Sequence, residues 1–153
     1  MANTFSQIYI QIVFAVHGRQ NLIGSEWKDQ LYKYITGIVT NHGQKLIAIG
    51  GVSDHIHILI GFKPNFEISK LVQEIKANSS RFINKRQFVR GKFSWQEGFG
   101  AFSYSRSQLD NVVRYIENQE QHHLKKSFKK EFTEYLEHFE IEYDEKYLFQ
   151  WID

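Results

Sequence analysis

Two histidines sit two residues apart in the run Gly50-Gly51-Val52-Ser53-Asp54-His55-Ile56-His57-Ile58-Leu59-Ile60. Alternate side chains of an extended strand share a face, so His55 and His57 point one way and Ile56, Ile58 and Ile60 the other. An isoleucine ridge that buries one face, with two imidazoles raised from the other, is a platform for a divalent metal ion. Two imidazoles are too few, and a third neutral or anionic ligand is needed, with positions left for substrate and water. Candidates are Asp54 beside the pair, His17 on the first predicted strand, and Gln119 or His122 on a late predicted helix. On that helix Tyr115, Gln119 and His122 fall at i, i+4 and i+7, so a turn that offers Gln119 to a metal also brings the Tyr115 phenol close. A phenol of pKa about 10 is a poor nucleophile at neutral pH. A divalent ion polarising a phosphate makes its attack feasible. The plain alternatives are a histidine pair on a solvated strand face and a helix tyrosine packed beside the core.

Other nucleophile systems find no support. The chain has no cysteine, no Gly-x-Ser-x-Gly elbow and no Gly-rich phosphate cradle. Lack of cysteine also excludes disulfides and thiolate zinc sites and fits a reducing interior. No apolar run reaches membrane-spanning length and the N-terminus lacks a signal-peptide pattern, so the expected compartment is the cytoplasm. A length of 153 residues, 42% apolar and 24% charged, fits one soluble domain over 1–153. The aromatic share of 16% exceeds what a small core needs, and the surplus suits stacking on a partner or large core side chains.

The net charge of +2 conceals a polarised distribution. Residues 70–130 carry thirteen Lys and Arg against five acids, whereas 131–153 carry eight acids and one lysine. A basic middle implies a polyanionic partner, most simply nucleic acid, unless it is a solvated helix face. The acidic tail, about 131–153, reads as a solvated helix or a segment that packs on the basic region.

The elements that must position these residues follow from hydrophobic period. Residues 4–17 alternate with Ile8, Ile10, Ile12, Phe14 and Val16 on one face, a long half-buried strand. Ser25 is a predicted N-cap for a helix with Trp27, Leu31, Tyr34, Ile35 and Ile38 on one stripe, ending near Gly43. Residues 45–52 and 55–62 form a hairpin across Ser53-Asp54. A helix after Pro64-Asn65 sets Ile68, Leu71, Val72, Ile75, Phe82 and Ile83 inward, and residues 98–104 are a fourth strand. The order is that of an α+β, ferredoxin-like (RRM-like) split βαβ antiparallel sheet, with a core of about 4–105. In it the first and third strands are central, and His55 and His57 lie mid-sheet on the face opposite the two helices, the open face. Ser107 and Asp110 read as a capping box for a helix of about 107–127 with Leu109, Val112, Val113, Ile116 and Leu124 as its apolar stripe. Beyond it, 127–139 is an acidic amphipathic helix, and Tyr147, Leu148, Phe149, Trp151 and Ile152 form an apolar cluster expected to dock on a neighbouring surface.

Taken together, His55-Ile56-His57 on a central strand and Val112-Val113-Arg114-Tyr115-Ile116-Glu117-Asn118-Gln119 on a late helix resemble the single-tyrosine HUH transposases of small bacterial insertion sequences. The resemblance also takes in the opening strand to Phe14, the stretch from Gly51 to His57, and Trp95-Gln96-Glu97-Gly98-Phe99. It implies that His55, His57 and Gln119 hold one Mg²⁺ or Mn²⁺ ion. It implies that Tyr115 attacks a phosphodiester of single-stranded DNA, forming a 5′-phosphotyrosine link and freeing a 3′-OH that later rejoins strands. Members work as homodimers, in several of which the tyrosine helix of one subunit completes the histidine site of the other. They recognise imperfect hairpins near the element ends. Many have glycines before the tyrosine helix, where this chain has Ser105-Arg106-Ser107. Domesticated relatives that act on host palindromic repeats often carry another residue four after the tyrosine, so Gln119 favours the insertion-sequence branch.

Single-stranded DNA needs Lys and Arg along its backbone and aromatics against its bases. Lys70, Arg81, Lys85, Arg86, Arg90 and Lys92 are the expected backbone contacts, and Phe93, Trp95, Phe99 and Tyr104 are either base platforms or core. The rival from another class is a non-catalytic RRM-like module, which binds single strands on an open sheet. It has no need of same-face histidines, and no RNP aromatic signature is apparent.

Overall fold

The alternating N-terminal run forms the central strand β1 (Tyr9–Ala15) of a four-stranded sheet in a computed structural model that describes residues 4–123 and 126–143. It pairs antiparallel with β3 (His55–Gly61) on one side and β4 (Gly100–Tyr104) on the other. Strand β2 (Lys45–Val52) joins β3 as a hairpin, giving the order β2-β3-β1-β4 expected of a ferredoxin-like layer. The predicted strand over 4–17 is laddered over Tyr9–Ala15, because Tyr9 already faces Gly61 and Tyr104, the last residues of both partner strands. The cluster from Tyr147 to Ile152 lies outside the described residues.

One face of the sheet buries Ile12, Phe14, Ile56, Ile58 and Ile60 against α1 (Lys28–Asn41) and α2 (Ile68–Arg86), where Leu31, Ile35, Leu71, Val72 and Ile75 meet them. Each such side chain contributes roughly 1.5–3 kcal/mol of burial. Tyr34, expected on the inward stripe of α1, is 39% exposed and stacks on Phe82 at 4.2 Å. The segment after α2 returns to this core. Asn84 clasps the Phe93 backbone in both directions (2.7 and 3.0 Å), and the Trp95 indole donates to Ser79 Oγ at 2.9 Å. Phe93 and Trp95 are therefore core residues rather than base platforms.

The other face departs from expectation. It is covered, not open, by α3 (Leu109–Glu117), the single turn α4 (Gln119–His122) and α5 (Phe128–His138), and both His55 and His57 have no exposed surface (0%). The physical reason is that this face is also apolar. Val13, Ala15, Ala48, Leu59 and Phe102 line it, and they are buried by Val112 and Ile116 of α3 and by Phe128, Phe132 and Leu136 of α5. The acidic C-terminal segment thus begins with a docked helix rather than a solvated one. Ser127 caps it, accepting from the Lys130 amide at 3.2 Å. An RRM-like module would lose its binding platform here.

Two glycines set how closely these helices approach. Gly50, His57, Val13 and Gly100 form one row across the sheet. A Cβ on Gly50 would lie 2.3 Å from the Ile116 carbonyl oxygen, and one on Gly100 would lie 2.8 Å from the Phe132 ring. The expected cap of the tyrosine helix also shifts. The Ser105 amide donates to Gln108 Oε1 at 2.8 Å, so the capping box is Ser105 with Gln108 instead of Ser107 with Asp110, and a short 3-10 turn precedes α3. The single helix expected over 107–127 breaks at Asn118.

Gly50→Ala should lower unfolding free energy by about 1–3 kcal/mol, because the backbone of α3 must retreat. Gly37→Ala, in open space on α1, should raise stability by up to about 1 kcal/mol. Urea titrations of the two variants measure the contrast.

Candidate active site

Strand β3 raises His55 and His57 from the same face, and hydrogen bonds at Nδ1 fix how each ring turns. His55 Nδ1 lies 2.7 Å from Asp54 Oδ1, and His57 Nδ1 lies 2.7 Å from Gln11 Oε1. A carboxylate and an amide oxygen accept, so both rings donate from Nδ1 and direct Nε2 into the space under the helices. Gln11 is itself held, since its Nε2 donates to Tyr104 Oη at 2.8 Å and Tyr135 Oη donates to its Oε1 at 3.3 Å.

The C-terminal helices bring further groups to those two nitrogens. Gln119 Oε1 lies 3.3 Å from His55 Nε2, while Gln119 Nε2 donates to the Tyr115 carbonyl at 3.3 Å and to Glu131 Oε2 at 3.4 Å. Glu131 Oε1 lies 3.2 Å from His57 Nε2, 3.5 Å from His55 Nε2 and 3.3 Å from His123 Nε2. The Tyr115 hydroxyl donates to Glu131 Oε2. On α5, Phe128, Glu131 and Tyr135 follow one another at helical spacing. Phe128 stacks on the His55 ring at 4.1 Å, and Tyr135 sits beside His57 and Tyr115. A cleft of about 600 Å³ opens beside Asp54 and His123, with Lys28 and Lys126 in its walls.

With both Nδ1 protons committed, the neutral rings, the Gln119 oxygen and the Glu131 carboxylate present lone pairs to one another. Such acceptors repel at these distances unless a proton or a cation sits among them. Burial opposes a charged His55, but the hydrogen bonds to Asp54 and Glu131 outweigh it and raise its pKa. At His57 burial prevails and the pKa falls. Burial also opposes the Glu131 anion, yet hydrogen bonds with His123, His55 and His57 hold its carboxyl far below the usual carboxylate range. Burial first, and then the Glu131 charge, push the Tyr115 phenol far above its ordinary value, and burial raises Tyr104 to about 12. The donor set fits a divalent cation, since the ligand atoms of His55, His57, His123 and Glu131 all lie within 4.8 Å of one another.

The family model described as "Transposase IS200 like" matches residues 4–119. The chain belongs to that transposase family. ISDra2 transposase TnpA of Deinococcus radiodurans is 22% identical over 118 residues, spanning 74% of this chain and 84% of that protein. Among solved structures, a candidate transposase from Deinococcus radiodurans R1 superposes with a TM-score of 0.62 at 23% identity, covering 76% of this chain and 94% of that one. A REP-associated tyrosine transposase bound to a REP hairpin superposes with a TM-score of 0.56 at 14% identity, covering 74% and 67%. At these identities the two structures attest the fold.

Within this IS200-like transposase, His55, His57, Tyr115 and Gln119 come together in a single chain. Asp54 does not join the converging atoms, because it lies behind His55 on Nδ1. His17 is exposed on a turn, and the His122 side chain is outside the described residues. Lys70, Arg81, Lys85, Arg86, Arg90 and Lys92 are all exposed along α2 and the connector after it, in the layer behind the sheet from Tyr115. Sequence reasoning missed Gln11, His123 and Glu131. Glu131 left a signal, for it interrupts the apolar stripe Phe128, Phe132, Tyr135, Leu136 at an inward position. Gln11 likewise stands on the buried side of β1 between Tyr9 and Val13.

Replacing Gln11 with Leu should leave the His57 Nδ1–H without its acceptor, at a cost of about 1–3 kcal/mol in urea unfolding. The His57 ring should also lose its fixed Nδ1–H tautomer, which ¹⁵N imidazole shifts would report.

Proposed function

We propose that this transposase cleaves and rejoins single-stranded DNA at insertion-sequence ends, with Tyr115 as nucleophile and His55, His57 and Gln119 holding one Mg²⁺ or Mn²⁺ ion. The observation that carries the reading is the convergence of the Tyr115 hydroxyl and the Gln119 amide on the Nε2 side of the histidine pair. When bound, the ion would supply Lewis-acid polarisation of the scissile phosphate.

The remaining work falls to the chain. Asp54 and Gln11 keep the imidazoles turned with Nε2 inward, and α3 holds Tyr115 one turn before Gln119. Glu131 Oε2 accepts the phenolic hydrogen bond and so orients the Tyr115 oxygen. As the Tyr115 oxygen–phosphorus bond forms and the phosphorus–O3′ bond breaks, the phenolic proton is lost to solvent and the freed 3′ oxygen takes one from solvent. Tyr115 then carries the 5′ phosphate, and the 3′-OH is available for rejoining. The exposed cations of α2 and its connector suit flanking phosphates rather than the scissile one, because they lie in the layer behind the sheet. A hairpin in that flanking DNA is the partner we infer, in keeping with the relative that was solved on a REP hairpin. Pairing of two copies and a cytoplasmic setting belong to the same reading. Among the described residues no helix is long and apolar enough to cross a membrane.

Single-stranded DNA from the element ends, labelled and incubated with Mg²⁺ or Mn²⁺, should yield a covalent protein–DNA adduct that Tyr115→Phe abolishes. His57→Ala should lose cleavage while retaining hairpin binding in a gel-shift assay. An adduct that persists in Tyr115→Phe would remove the tyrosine from the role given to it.

The candidate groups converge within one chain, so on this reading mixing Tyr115→Phe with His57→Ala protein should restore no cleavage. Recovery of activity in the mixture would instead mean that tyrosine helices exchange between subunits.

A further inference from the structure

The segment matched by the family model ends at Gln119, and two of the groups converging on the histidine pair lie beyond it. His123 follows α4, and Glu131 is in the first turn of α5. We propose that His123 and Glu131 join His55 and His57 as direct ligands, making a three-imidazole, one-carboxylate site selective for a transition-metal dication over Mg²⁺, with Glu131 bridging that ion and the Tyr115 hydroxyl. The inference rests on the metal-assisted reading above and extends it to residues outside the family segment.

Geometry carries the argument. Four donors about 2.0–2.1 Å from one ion in a tetrahedron lie about 3.3–3.4 Å apart. Glu131 Oε1 lies 3.2, 3.5 and 3.3 Å from the Nε2 atoms of His57, His55 and His123. The three edges that run from this oxygen therefore match such a site, and the ligand atoms of all four residues lie within 4.8 Å of one another. Its partner oxygen accepts from Tyr115, so one carboxylate spans metal and nucleophile. Burial agrees with a ligand role, since Glu131 is 2% exposed. A buried carboxylate in an otherwise apolar row between Phe128 and Phe132 needs positive partners.

Donor chemistry decides the class of ion. Mg²⁺ prefers oxygen ligands and retains its waters, whereas imidazole nitrogens suit Zn²⁺, Co²⁺ and, more weakly, Mn²⁺. Three nitrogens and one carboxylate form a set of the second kind. Gln119 Oε1, 3.3 Å from His55 Nε2, is a neutral fifth oxygen at the edge of the site. The ion would also pin α5 to β3, because its ligands come from both elements.

Titration of the full-length protein with Co²⁺, Zn²⁺, Mn²⁺ and Mg²⁺ alone, by calorimetry, tests the assignment. Co²⁺ or Zn²⁺ should bind at least about 100-fold more tightly than Mg²⁺. Glu131→Gln and His123→Ala should each weaken Co²⁺ binding by about tenfold or more. Wild-type protein with Co²⁺ should show the intense visible bands of a low-coordinate nitrogen–oxygen site, a readout that needs no variant to fold. Loss of affinity in His57→Ala, but unchanged affinity in folded Glu131→Gln and His123→Ala, would overturn this proposal and leave the histidine pair as a metal site. Affinity unchanged in His57→Ala as well would overturn both this proposal and the metal role under the proposed function. An adduct lost in Tyr115→Phe would still leave the nucleophile standing.

Discussion

The structure depends on a local excess of hydrogen-bond acceptors in a place that water does not reach. Asp54 and Gln11 take the Nδ1 protons of His55 and His57, and the two Nε2 lone pairs then face Glu131 and Gln119 across 3.2–3.5 Å. Such a cluster is unstable without positive charge at its centre. A proton on His55 supplies it in one state, in line with the raised pKa of that ring. A divalent ion would supply it in another. Proton and metal would therefore compete for the same buried lone pairs, as at other imidazole sites.

Everything around the cluster can be understood as support for that arrangement. Gln11 would be an expensive residue at 0% exposure were it not bonded to His57, Tyr104 and Tyr135 together. The glycines at both ends of the His57 row let α3 and α5 close over the sheet. A side chain at either place would meet the Ile116 carbonyl or the Phe132 ring. Phe128 stacks on the His55 ring, which has no exposed surface. The same packing shields Tyr115, whose phenol burial holds protonated until charge in the site changes. In the proposed reaction that charge must change before Tyr115 can attack, so the groups that position the phenol also restrain it.

The cover on the histidine face also separates two jobs. The candidate site is enclosed between the sheet and the C-terminal helices, whereas the exposed cations of α2 and its connector lie on the other side of the sheet. In the proposed reading, DNA that reaches both would wrap an edge of the sheet. The cleft beside Asp54 and His123, with Lys28 and Lys126 in its walls, is one approach to the enclosed side.

Period and spacing in the sequence determined most of the scaffold and half of the site. Strict alternation in β1 and β3, the Ser53-Asp54 turn and the inward stripes of α1 and α2 are local properties, and they sufficed for the strand order and for His55 and His57 on one mid-sheet face. Tyr115 and Gln119 were legible for the same reason, being one helical turn apart. Tertiary structure decided what covers that face. The local charge of residues 131–153 suggests solvation, but Phe128, Phe132 and Leu136 have an apolar sheet face to bury, and that long-range burial outweighs the acidic composition of the segment. Docking α5 carries Glu131 some 74 residues along the chain to His57. No sequence period records such a contact, because it exists only once the two apolar faces have met.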